Sequence, residues 1–123
     1  MLDQTKKQTG NLGEKLAKNF LQKRNHKILT SNFYIKGGEI DLVALDKKTQ
    51  EIVFIEVKTR SLSQNTWPEW AVGSVKSYRI WRAAQRYLQK IQATLTQNYR
   101  FDIISIELDN ITHKAKITHF KYV

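Results

Sequence analysis

Two apolar runs, Glu39 to Asp46 and Ile52 to Thr59, flank the stretch Asp46-Lys47-Lys48-Thr49-Gln50. Short runs with β-branched enrichment around polar turn residues predict a β-hairpin. With its turn centred between Lys48 and Thr49, Asp46 faces Glu51 and Asp41 faces Glu56. Alternation then puts Glu56 and Lys58 on one side of the second strand and Val53, Ile55 and Val57 on the other. Asp41, Glu56 and Lys58 are thereby expected on one face, with directly opposed Cβ atoms ~4.5–5.5 Å apart. A register slip of one residue would scatter them.

Two acids opposed within apolar strands break a local rule, because like charges placed opposite each other destabilise a sheet and burial penalises them further. Something positive must offset the repulsion. Lys58 supplies one charge, and a divalent cation would supply the rest. Mg²⁺ is typically held by one or two carboxylates together with water and a substrate phosphate. Such a set suits phosphodiester hydrolysis, in which the ion polarises the phosphate and activates water, while a lysine stabilises developing charge. The same trio also reads as a structural ion-pair cluster at a sheet end, since E-x-K on a strand is common. The apolar embedding favours a functional site, and so does the charge balance: 21 Lys and Arg against 11 Asp and Glu leave +10. A field of that sign attracts polyanions such as nucleic acid.

The rest of the chain predicts a mixed α/β fold. From Thr9 to Arg24, Leu12, Leu16 and Phe20 recur every four positions, widened by Ala17 and Leu21. This is an amphipathic helix with Thr9 or Asn11 as cap and Asn25 as stop. Ile28 to Tyr34 reads as a strand entering a Gly37-Gly38 turn. The segment Ser61 to Val72, with Trp67, Pro68 and Trp70, reads as a loop. A second helix follows over about Gly73 to Gln92, with Trp81, Ala84, Leu88 and Ile91 as its apolar stripe and Trp81 in the core. Its other faces carry Lys76, Arg79, Arg82, Arg86 and Lys90 without an acid among them. Phe101 to Leu108 and Lys114 to Tyr122 are the last strands. The order helix, three strands, helix, two strands requires one parallel crossover inside an otherwise antiparallel central sheet flanked by helices. Residues 1–123 are expected to form one domain. His26, His113 and His119 show no ligand spacing, and zero cysteines exclude disulfides, thiolate chemistry and cysteine-ligated zinc.

Gly38-Glu39-Ile40-Asp41-Leu42-Val43-Ala44 and Val53-Phe54-Ile55-Glu56-Val57-Lys58-Thr59-Arg60 carry a resemblance to the bacterial UPF0102 (YraN) family. Gly10-Asn11-Leu12-Gly13-Glu14-Lys15-Leu16-Ala17 resembles the family's opening helix, and Arg100-Phe101-Asp102-Ile103-Ile104 a late strand. That family is in turn similar to the PD-(D/E)XK nucleases, and within them to archaeal Holliday-junction resolvases. The resemblance implies a restriction-endonuclease-like core, with Asp41 and Glu56 as metal-binding acids and Lys58 as the catalytic lysine. It also implies Glu14 as a first-helix acid that completes the site directly or through water. Ile40 stands where the superfamily's nominal proline would be, a position without a chemical role.

The expected activity is Mg²⁺-dependent (or Mn²⁺-dependent) endonucleolytic hydrolysis of DNA, branched or structured DNA included, with DNA ahead of RNA as substrate. Lys76, Arg79, Arg82, Arg86 and Arg60 are the expected backbone-contacting residues, which position a duplex without reading its sequence. The other reading is a non-catalytic module that binds nucleic acid or a partner protein on a nuclease fold. The residues leave the oligomeric state open; resolvase-like relatives pair as dimers, so a homodimer is what the resemblance implies. No apolar run approaches the ~20 residues that span a bilayer, and the N-terminal residues lack the apolar stretch of a secretory signal, so a cytoplasmic location without membrane contact is expected.

Overall fold

Five strands and two helices build the computed structural model, which describes residues 2–61, 78–109 and 111–123, with side chains from Gln8 onward in the first helix. Trp67, Pro68, Trp70 and Lys76 lie outside the described residues. In chain order the elements are α1 (Leu2–Gln22), β1 (His26–Ile35), β2 (Gly38–Asp46), β3 (Glu51–Ser61), α2 (Tyr78–Lys90), β4 (Tyr99–Asp109) and β5 (Lys114–Phe120). The strands form one sheet in the order β1-β2-β3-β4-β5. All neighbours are antiparallel except β3 and β4, which are parallel. The predicted crossover is therefore present, and a mixed α/β fold results. No described helix is long and apolar enough to cross a membrane.

The sheet is covered on both faces, which is why β2, β3 and β4 read as nearly continuous apolar runs. On one face Ala17 and Leu21 of α1 pack on Leu42, Ala44, Val53, Ile55, Ile104 and Ile106. On the other, Ala83, Ala84 and Tyr87 of α2 pack on Ile40, Val43, Ile52 and Phe54. The hairpin register is as the turn chemistry predicts: Asp46 pairs with Glu51, and the ladder runs to Leu42 opposite Ile55. Asp46 Oδ1 accepts the amides of Lys48 (3.0 Å) and Thr49 (3.3 Å). This aspartate turn, with Gln50 at φ 62°, pins the register locally.

Both helices depart from the sequence reading. Helix α1 does not start at a Thr9 or Asn11 cap but runs through from Leu2, carrying Gly10 and Gly13 inside it. Gly13 is there for contact: a Cβ at that position would overlap the Thr59 side chain on β3. Helix α2 ends at Lys90, and the predicted stripe faces the core only in part: Ala84 and Leu88 pack there, whereas Trp81, expected in the core, does not. Trp81 is 46% exposed, as is 43% of Ile91, which lies past the helix end. The buried side is Ala83, Ala84 and Tyr87, flanked by Ile80 and Leu88. The cause is proximity, since a Cβ built on Gly38 would overlap the Arg79 carbonyl and lie 3.4 Å from Ala83 Cβ. A helix this close to the sheet needs small residues at the contact, and an indole cannot enter.

Candidate active site

The sheet has a fault at Asp41. Ser31 pairs with Leu42, and Phe33 with Ile40, so the register of β1 on β2 is kept across this rung, its one shift lying farther along between Ile28 and Thr30. Leu42 nevertheless packs toward α1, while Ile40 and Phe33 pack toward α2. Strict alternation would keep Ile40 and Leu42 on one face. The faces exchange across the rung between them, where Asn32 stands opposite Asp41. Asn32 takes a left-handed φ of 54°, a conformation that asparagine tolerates better than most residues.

The β2–β3 ladder ends at the same place. Beyond Leu42 and Ile55 there is no further backbone pair; instead the Val57 amide donates to Asp41 Oδ2 at 2.8 Å. The Asp41 carboxylate thus replaces a backbone carbonyl, and the two strands part on either side of it. On the α2 side a cavity of about 230 Å³ is lined by Glu39, Asp41, Glu56, Arg79 and neighbouring apolar side chains. On the α1 side a shallower hollow is lined by Gly10, Asn11, Glu14, Asp41, Val57 and Thr59. Asp41 belongs to both.

Glu56 sits beside Lys58, with Nζ 3.0 Å from Oε1. Glu14 is held by Asn32 Nδ2 at 3.0 Å and Lys18 Nζ at 3.6 Å. The Gly13–Thr59 contact is what brings this turn of α1 against β3. Arg79 donates from Nε to the Gly37 carbonyl at 2.8 Å, which anchors its guanidinium at the cavity wall. Arg60 continues the Glu56–Lys58 side of β3, whereas Arg82 and Arg86 line a separate groove on the outer side of α2. Asn32 and the Val57 amide have no place in the sequence reading; the one signal for Asn32 is its residue type.

The expected Asp41–Glu56 rung is thus not formed, and the electrostatics at the two acid sites of the hairpin are opposite. At the turn, Asp46 and Glu51 face each other. Arg100 of β4 reaches both, with Nη1 2.9 Å from Asp46 Oδ2 and 2.8 Å from Glu51 Oε1. Its Nε lies 3.0 Å from Asp102 Oδ1, and His119 Nε2 lies 2.7 Å from Asp102 Oδ2. Burial opposes ionisation of Asp46, but Arg100 and the two turn amides outweigh it and hold its carboxyl down at about 2. Burial likewise pushes Asp102 up, and His119, Arg100 and the Tyr122 amide overcome it. His26 and His119 are both part of this buried network.

At the fault the balance runs the other way. Burial pushes Asp41 up to about 6 against the pull of the Val57 amide, and the charges of Glu56, Glu39 and Glu14 push in the same direction. Among the described residues no three acidic or histidine side chains gather into a set that would hold an ion alone. Asp41 and Glu56 are oxygen donors of the kind a hard cation takes, and such an ion would need water or a phosphate to complete its shell.

The fold and cleft define a mixed α/β protein with an under-neutralised carboxylate site on a strongly basic chain. The model of the family described as "Uncharacterised protein family UPF0102" matches residues 13–106. A UPF0102 protein of Geobacter metallireducens is 48% identical over 100 residues, covering 81% of this chain and 80% of the relative. One from Alkaliphilus oremlandii is 39% identical over 116 residues, covering 94% and 96%. Another, from Caldicellulosiruptor bescii, is 37% identical over 115 residues, covering 94% and 95%. The chain belongs to the UPF0102 family.

Proposed function

We propose that this protein is a divalent-metal-dependent endonuclease acting on DNA through Asp41, Glu56 and Lys58, on a restriction-endonuclease-like core formed by residues 1–123 as one unit. One observation carries the reading. Of the two acid sites in a single hairpin, one is neutralised by a buried arginine, while at the other Glu56 is paired with Lys58 and Asp41 is raised to about 6 at the cleft. A carboxyl raised by burial and neighbouring acids in a cleft, without the arginine that holds Asp46 down, is a candidate functional position.

In this reading Asp41 and Glu56 hold the cation, and Glu14 supports it from the opposite side of the fault. The bound ion supplies charge neutralisation at the phosphate and a lowered pKa for the attacking water. Lys58, already 3.0 Å from Glu56, places its ammonium where negative charge develops on the phosphate oxygens. Arg79, fixed by Gly37, orients the strand at the cavity wall. Water adds to phosphorus as the bond to the 3′-oxygen breaks, which leaves a 5′-phosphate and a 3′-hydroxyl.

The test is incubation with linear and branched DNA and RNA plus Mg²⁺ or Mn²⁺, comparing the wild type with Asp41→Asn, Glu56→Gln and Lys58→Ala. Cleavage by the wild type with a loss of about 10²-fold or more in each variant is expected, the size typical of removing one transition-state-stabilising group. Equal cleavage by all four would trace the activity to a contaminant and overturn the reading. Salt-sensitive DNA binding without Mn²⁺ binding or turnover would replace it with the non-catalytic module.

A further inference from the structure

The outer side of α2 carries a feature that the cleft does not explain. Tyr78 and Trp81, three residues apart on one side of the helix, stack with ring centroids 5.7 Å apart and an interplanar angle of 15°. They are 68% and 46% exposed. Exposed single aromatics are ordinary, but a stacked pair exposed to this extent leaves a large apolar surface in water. Its surroundings are cationic: the Arg82 guanidinium lies 5.9 Å from the Tyr78 ring centroid, and Arg86 lines the same shallow groove with Gln85 and Gln89. There is no acidic residue on α2. A protein partner with an apolar face would be opposed by that charge, whereas a flat, π-faced, polyanionic ligand satisfies both halves of the surface.

We infer that this face is a stacking platform for an unpaired strand of nucleic acid, with a base on the Tyr78–Trp81 pair and phosphates on Arg82 and Arg86. The inference rests on the nucleic-acid part of the proposed function and deepens it. Arg79, at the wall of the carboxylate cavity, lies in the same helical turn, so the platform begins within about 5 Å along the helix axis of the cleft. A strand leaving the cleft on this side meets the rings only if its bases are unpaired, since a base within a duplex presents no free face. The preferred substrate is then a structure with a single-stranded segment next to the cleavage point, such as a flap or a branch.

The experiment is binding by fluorescence anisotropy in a metal chelator, using labelled oligo(dT) and a labelled duplex of equal length. Trp81→Ala is expected to weaken oligo(dT) binding about tenfold, the size base–aromatic stacking gives per base, with duplex affinity within twofold of the wild type. Trp81→Phe keeps a ring and retains most of the single-strand affinity. Arg82→Ala is expected to lower the salt slope for oligo(dT) by about 0.7, one phosphate contact, whereas Trp81→Ala leaves it unchanged. Because Trp81 is exposed, thermal melting of the Ala variant should match the wild type and exclude misfolding. Unchanged oligo(dT) binding in Trp81→Ala overturns the inference, as does an equal loss for single strand and duplex. So does a change of oligomeric state on Trp81→Ala in sedimentation with nucleic-acid binding intact, which would make the face a protein interface. Since no cleavage is needed, a catalytically dead wild type would sink the nuclease reading and leave this result standing.

Discussion

Replacing Asp41 with asparagine should stabilise the fold at neutral pH while abolishing the site. Its carboxyl titrates at about 6 against 3.8 for an ordinary aspartate, because burial and three neighbouring acids disfavour the charge. At about 1.4 kcal/mol per pH unit, ionising Asp41 in the folded state costs about 3 kcal/mol more than in the unfolded chain. The sign follows from proton binding. Between pH 3.8 and 6 the folded protein holds this proton more tightly than the unfolded chain does, so stability falls as pH rises through that window. Below 3.8 the penalty is absent, and above 6 it is fully present. Asparagine keeps an oxygen that accepts the Val57 amide and carries no charge, so the variant escapes the penalty. Urea unfolding in a metal chelator, from pH 4 to pH 8, should show the two proteins converging at the acid end. At pH 8 the midpoint of Asp41→Asn should be higher by about 1–3 M, given urea slopes of roughly 1–3 kcal/mol/M for small domains. A variant no more stable than the wild type at pH 8, or a difference that does not change with pH, would refute the reasoning.

Two further outcomes follow from packing and from the buried network. Gly13→Ala should destabilise by about 1–3 kcal/mol despite the better helix propensity of alanine, because its methyl group collides with Thr59. Adding Thr59→Ala should not rescue it fully, since Thr59 Cβ itself lies 2.8 Å from the added atom; urea midpoints of the single and double variants check both statements. Arg100→Met should cost about 3–5 kcal/mol at pH 7 by leaving Asp46, Glu51 and Asp102 without their guanidinium. In the wild type, the depressed Asp46 contributes stability that is present above pH 3.8 and lost as pH falls toward 2. The deficit of Arg100→Met should accordingly shrink on acidification, and a constant deficit between pH 7 and pH 3 would contradict this account.

What could be read along the chain was whatever neighbours in sequence control. The Asp46–Gln50 turn sets the hairpin register through its own side chain, and alternation then carries Glu56 and Lys58 to one side of β3 without reference to the rest of the molecule. The order of elements and the parallel step between β3 and β4 follow from the same local periodicities. Three features lie beyond that reach, because each depends on residues distant in sequence. The buried side of α2 could be drawn through Trp81 or through Ala83 and Tyr87 with equal periodicity, and only the close approach at Gly38 selects the smaller residues. The Arg100 network joins β1, β2, β3, β4, β5 and Tyr122, groups no sequence window contains, and its formation depends on the sheet order. The exchange of faces at Asn32 and Asp41 is the third. A strand read alone shows an acid in an alternating pattern; only two strands laid side by side, with an asparagine able to adopt a left-handed backbone, turn that acid into the point where the sheet opens.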